Sequence, residues 1–157
     1  MKNQSAPLLR PLLLAVALSG AMACAHAVVN PPIRMAGQGI EYMCGGTGKD
    51  EAAFMQMVSP RWAATLEFAV KVDKGSAAAA GVKVRVRNSY NNDPVLEVMA
   101  DAPWVLARLE PGSYVVEATL DGLTLIQTLH VFAGQPSKAV FVWPSNLSAP
   151  SHTQAAL

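Results

Sequence analysis

From residue 64 onward the chain alternates apolar and polar positions with a period of two. Leu66, Phe68, Val70 and Val72 interleave with Thr65, Glu67, Ala69 and Lys71, the pattern of a strand with one buried and one wet face. Lys74 to Gly81 is a loop of small residues. Val82, Val84 and Val86 then alternate with Lys83, Arg85 and Arg87, up to the turn-rich stretch Asn88-Ser89-Tyr90-Asn91-Asn92-Asp93. Val95–Ala100 and Trp104–Leu109 are read as the next strands. Asp121-Gly122 separates two apolar runs and tolerates positive φ at both positions, so it predicts a two-residue hairpin joining Tyr114–Leu120 to Leu123–Val131. Gln127 interrupts the apolar face of that second strand and makes a bulge or register change there an open reading. Lys138–Trp143 completes a set of seven strands.

The segment before residue 64 has another character. Asn30-Pro31-Pro32 and two later glycines read as an extended lead-in, with Ile40-Glu41-Tyr42 as a short strand pattern. After Gly45-Gly46-Thr47-Gly48, the run Asp50–Val58 holds helix formers, acidic residues in its first turn and Ser59-Pro60 as a stop. Phe54, Met57 and Val58 are its predicted apolar face. The expected fold is therefore mainly β, a seven-stranded antiparallel β-sandwich over 64–143 behind a short N-terminal helix within 28–63. The tail, 144–157, is expected to be disordered.

The first apolar block belongs to transport rather than to the fold. Lys2 and Arg10 precede its apolar run, Leu12–Met22 is nearly all apolar, and Ala25-His26-Ala27 has the small residues of a cleavage site, so 1–27 reads as a signal peptide. The block is shorter than the roughly 20 residues of a membrane span. Cleavage after Ala27 is the expected event. A lipobox-like reading, with Ala21-Met22-Ala23 before a lipidated Cys24, is the alternative, and only it would attach the chain to a membrane. Either way the expected location is the periplasm or cell surface. Cleavage after Ala27 leaves Cys44 as the single cysteine, which excludes an intrachain disulfide.

Composition mainly excludes. With 157 residues there is room for one domain. A chain 52% hydrophobic and 15% charged, at net charge +1, is neither a disordered polyelectrolyte nor a strongly basic nucleic-acid binder.

Leu109-Glu110-Pro111-Gly112-Ser113-Tyr114-Val115-Val116-Glu117-Ala118 resembles the L-x-P-G-x-Y-x-V-x-A segment of carboxypeptidase regulatory-like domains. The resemblance implies a transthyretin-like, Ig-like sandwich. In it Pro111 and Gly112 make a turn, and Tyr114 pins a corner of the sandwich through its hydroxyl, as in immunoglobulin folds. Gly45–Glu51 is similar to the glycine-rich segment and helix that precede this domain in small exported proteins of proteobacteria. The family name refers to an accessory domain of zinc hydrolases, and a hydrolase domain does not fit in this length. No H-x-x-E occurs, so neither peptidase activity nor a zinc site is expected.

Several chemical readings compete with plainer ones. Gly45–Lys49 departs from the P-loop spacing, since Met43 and Asp50 stand where Gly and Ser or Thr belong, and it reads as the start of a helix. Met35, Met43, Cys44, Met55 and Met57 would suit copper(I) by softness, but Met55 and Met57 are about 200° apart around a helix. Ser113, His130 and Asp121 form a nominal hydrolytic trio without a nucleophile elbow. Lys83, Arg85 and Arg87 project from one strand face, where Glu67 and Glu117 can neutralise them; with Tyr90 they are the candidate patch for an anionic envelope polymer or an acidic protein surface. The resulting expectation is an exported, non-enzymatic binding or interaction module of the bacterial cell envelope, without cofactor and with its ligand open. The alternative is a periplasmic small-molecule or metal-handling protein that uses Met43, Cys44 and Met57.

Overall fold

A computed structural model of the chain describes residues 30–147. Residues 1–29, with the expected signal peptide and Cys24, and residues 148–157 of the tail lie outside the described residues. Ten strands and one α-helix follow in order: β1 (Ile33–Met35), β2 (Glu41–Gly45), α1 (Lys49–Val58), β3 (Ala64–Val72), β4 (Gly75–Ala78), β5 (Val82–Asn88), β6 (Pro94–Ala100), β7 (Trp104–Ala107), β8 (Gly112–Leu120), β9 (Leu123–Val131) and β10 (Ser137–Trp143). They form two sheets. Sheet A runs β1-β2-β7-β3-β10 with β4 also on β3, and sheet B runs β6-β5-β8-β9. The inner faces enclose the main core, which includes Phe68, Phe141 and Trp143 with ring centroids 5.8–6.3 Å apart.

Mainly β with a short helix describes the chain, but seven antiparallel strands does not. The small-residue stretch after Lys74 is not all loop, because β4 pairs with the second half of β3, beyond the reach of the four-residue β7. β1 and β2 extend sheet A on the N-terminal side of residue 64. β10 runs parallel to β3, Ser137 opposite Ala64 and Trp143 opposite Val70. Both strands start at the same end of the sandwich, and no hairpin joins them.

The helix departs from its expected face. Glu51, Phe54, Met55 and Val58 occupy the i, i+3, i+4, i+7 stripe, Met55 is fully buried, and Met57 is 68% exposed. Met55 packs with Met43, Trp62 and Leu106 in a second core on the outer face of sheet A. That cover buries Thr65, which alternation alone assigns to solvent. Glu51 is absorbed at the helix start, where its Oε1 accepts the Gly46 N–H at 2.7 Å and the Thr47 N–H at 3.2 Å. Gly45 is required here by closeness rather than by φ: a Cβ would stand 2.4 Å from Pro31 Cγ.

Two local expectations hold closely. Asp121 and Gly122 have φ of 47° and 81°, and Leu120 pairs with Leu123. Tyr114 is buried and its hydroxyl donates to the Glu110 carbonyl at 2.6 Å. Burial first, and the Glu110 charge second, raise the Tyr114 pKa above its ordinary value. β9 has no bulge; Gln127 instead sends its amide to the Val140 carbonyl of β10 at 2.6 Å. Trp143 Nε1 donates to the Leu123 carbonyl at 3.0 Å and Ser137 Oγ to the His130 carbonyl at 2.6 Å. Side chains thus fasten the two sheets where β9 and β10 meet.

The strand directions give the sandwich two distinct ends. The turns after β5, β7 and β9 and the segment before β3 lie at one, here called the loop end. Asn30 to Pro32 and residues 144–147 lie at the other, the terminal end, with Leu147 packed on the main core. None of the described helices is long and apolar enough to cross a membrane.

Candidate functional site

The loop end carries a cleft of about 360 Å³ whose lining includes Arg61, Trp62, Arg108, Glu110, Phe132 and Gln135. Three local structures build it. A single 3₁₀ turn over Ser59–Arg61 ends with the Trp62 N–H on the Ser59 carbonyl, which sets Trp62 at the head of β3. The Pro111-Gly112 turn, held by Tyr114, fixes the chain just after Arg108. Beyond β9, the Gln135 N–H returns to the Phe132 carbonyl at 3.2 Å in a tight turn with Gly134 at φ 73°.

Trp62 is buried against the second core, and the Arg108 guanidinium carbon stands 4.6 Å from its ring centroid. That distance is within cation–π range. Arg108 Nε lies 2.7 Å from Glu41 Oε2, so the guanidinium is oriented from two sides. Phe132 is 62% exposed, and in the next loop Tyr90 is 98% exposed. The Asn88–Asp93 loop is itself ordered: Asn88 Oδ1 accepts the Tyr90 N–H at 2.8 Å, and Asn92 takes φ 62°. An ordered loop presenting a bare aromatic ring can engage a partner at small entropic cost.

The four residues of the cationic patch are not gathered at one place. Arg85 Nε donates to Glu97 Oε1 at 2.9 Å, and Arg87 Nη2 donates to Glu117 Oε1. Glu117 and Glu97 come from the strands on either side of β5; Glu67 does not take part and pairs with Lys138 on sheet A at 2.6 Å. Lys83 sits at the opposite end of β5 from Tyr90, about 17 Å along a strand from Asn88. Of the four, Tyr90 lies in the loop-end turn, Arg87 stands just before it on β5, and Arg85 and Lys83 lie progressively farther away.

Ser113 and His130 face each other across the β8–β9 pair, with Oγ and Nδ1 2.7 Å apart. Asp121 is at the far end of the same hairpin, about 26 Å away along β8, so no trio forms. The structure does not bring together Met43, Cys44 and Met57, the residues of the small-molecule or metal-handling alternative. Met43 and Cys44 are neighbours on β2 and face opposite sides of it, Met43 into the second core and Cys44 into the main one, while Met57 points to solvent. Burial and then the adjacent Asp101 push the Cys44 pKa up to about 11, which keeps it a thiol. Among the described residues no three His, Cys, Asp or Glu side chains converge on a metal position.

Trp62, Arg108 and Phe132 were not legible as a group. Trp62 and Arg108 meet only because β7 and β3 are paired, whereas Phe132, an aromatic just past a strand and before Ala-Gly-Gln-Pro, carries a local sign of exposure.

No family model and no curated protein matches this chain. Among solved structures it is similar to a Pseudomonas aeruginosa crystal structure described as a "putative carbohydrate binding protein", at 11% identity and TM-score 0.34, covering 57% of this chain and 95% of that one.

Proposed function

We propose that this chain is an exported, non-enzymatic binding module of the bacterial cell envelope, located in the periplasm or at the cell surface, that engages its partner at the loop end. The observation that carries the reading is the placement of the cleft. Exposed Phe132 and Tyr90 stand with the oriented Arg108 at one end of the sandwich. A rigid sandwich that presents ordered loops together at one end suits recognition. The Pro111-Gly112-x-Tyr114 corner supports kinship with carboxypeptidase regulatory-like domains, as accessory modules without chemistry of their own. The partner in this reading is an envelope protein or an anionic envelope polymer, met by Arg61 and Arg108 beside the aromatic rings.

The test is retention of envelope material by the immobilised chain, compared between wild type, Phe132→Ala and Arg85→Glu. Truncation of a central aromatic anchor commonly costs 2 kcal/mol or more of binding, about 30-fold. Loss on Phe132→Ala with retention on Arg85→Glu is the expected result. Loss on Arg85→Glu alone moves the site to the outer face of sheet B and overturns this one.

A further inference from the structure

An open sandwich ends in strands whose outward N–H and C=O groups can pair with another chain, and folds guard them with charge, proline, brevity or cover. Here the other edges are guarded. β1 has three residues including Arg34, and β4 has four. β6 opens on Pro94 and carries Glu97, whose N–H is taken by Gln38 Oε1 from the β1–β2 turn at 3.3 Å. β10 carries Lys138, and its Val140 carbonyl is covered by Gln127.

β9 is different. Leu123–Val131 is nine residues long, contains no Lys, Arg, Asp, Glu or Pro, and pairs with β8 on one side. The two-residue hairpin makes Leu120–Leu123 a hydrogen-bonded pair, so Thr124, Ile126 and Thr128 turn their backbone groups away from β8. The side-chain bonds Thr119–Thr124 and Ser113–His130, both 2.7 Å, fall on the closer, non-hydrogen-bonded pairs that this alternation requires. Among the described residues these outward groups have no backbone partner. Ile126 is 63% exposed beside them.

We propose that β9 pairs antiparallel with β9 of a second copy across a two-fold axis at Ile126, making one continuous sheet from two copies of sheet B. The strand is self-complementary about that axis. Ile126 meets Ile126 of the partner subunit, and Thr124 meets Thr128 of the partner subunit in both directions, pairings favoured across strands. About six backbone hydrogen bonds close the edge. Glu117, beside Ile126 on β8, is already neutralised by Arg87 and Arg85, so the two faces meet without unpaired charge. An isologous contact of this kind closes at two copies, and its antiparallel sense sends the two loop-end clefts to opposite poles.

Sedimentation of the purified chain at high micromolar concentration tests this directly. Wild type sediments as a dimer, and Ile126→Lys, which sets like charges against each other on the axis, weakens it by at least about a hundredfold with an unchanged circular dichroism spectrum. Ile126→Cys forms an intermolecular disulfide on oxidation, because Cα atoms of a hydrogen-bonded pair are about 5.5 Å apart. Lys83→Cys, exposed on the same face but off the axis, does not. A monomeric wild type overturns the proposal, as does a dimer that Ile126→Cys fails to link. The Ile126→Cys result stands even where Ile126→Lys does not fold.

Discussion

The two ends of the sandwich are held by different means and offer different surfaces. At the terminal end Trp143, fully buried and bonded to the Leu123 carbonyl, locks β10 onto the start of β9, and Cys44 is sealed as a thiol beside Ala102. At the loop end the fixed points are hydrogen bonds of the turns, among them Tyr114 to Glu110, Gln135 to Phe132 and the Tyr90 N–H to the Asn88 side chain, together with bonds between neighbouring elements such as Ser89 to Ser113 and Ser137 to His130. The terminal end is held by side-chain packing and carries a smaller cleft of about 300 Å³, lined by Pro31, Arg34, Cys44, Glu51 and Asp101 among others. Ordered turns on the rigid strands leave aromatic and guanidinium groups presented at the other, which is where recognition can be placed without weakening the core.

The comparison predicts a large asymmetry in stability. Trp143→Ala removes the largest fully buried side chain and its bond to Leu123, and costs about 3–5 kcal/mol in denaturant unfolding. A cost near that of a surface change would mean that the terminal end is not the anchor. Tyr114→Phe keeps the ring and removes the bond to Glu110, for a smaller loss of about 0.5–1.5 kcal/mol. Hydrogen exchange should then rise at the Pro111-Gly112 turn and stay unchanged around Leu123; a global rise would erase the distinction between the ends.

The same contrast separates what was legible in the sequence from what was not. The Asp121-Gly122 hairpin and the Tyr114 corner depend on residues within a few positions of each other, so turn chemistry sufficed to find them. Alternation likewise placed Lys83, Arg85 and Arg87 on one face of β5. It could not supply the register that brings Glu97 and Glu117 against the two arginines. The parallel β3–β10 pair and the burial of Thr65 under α1 depend on partners distant in sequence, whereas β4 pairs locally with the end of β3 but its Gly-Ser-Ala-Ala residues show no apolar–polar alternation. Met55 rather than Met57 completes the buried face of α1, and periodicity hid this because Glu51, a polar residue, stands in the same stripe and is spent on the backbone of the glycine-rich loop. The loop-end cleft was hidden for the same reason: its groups come from three turns that only the completed topology brings to one end.

The central claim is that recognition is confined to the loop end. A photoreactive amino acid placed in turn at position 132, at position 90 and at position 101, on the terminal end and far from β9, tests it in intact cells. The account predicts the same crosslinked partner from positions 132 and 90 and none from position 101. Capture of that partner from position 101, with positions 132 and 90 silent, would contradict it.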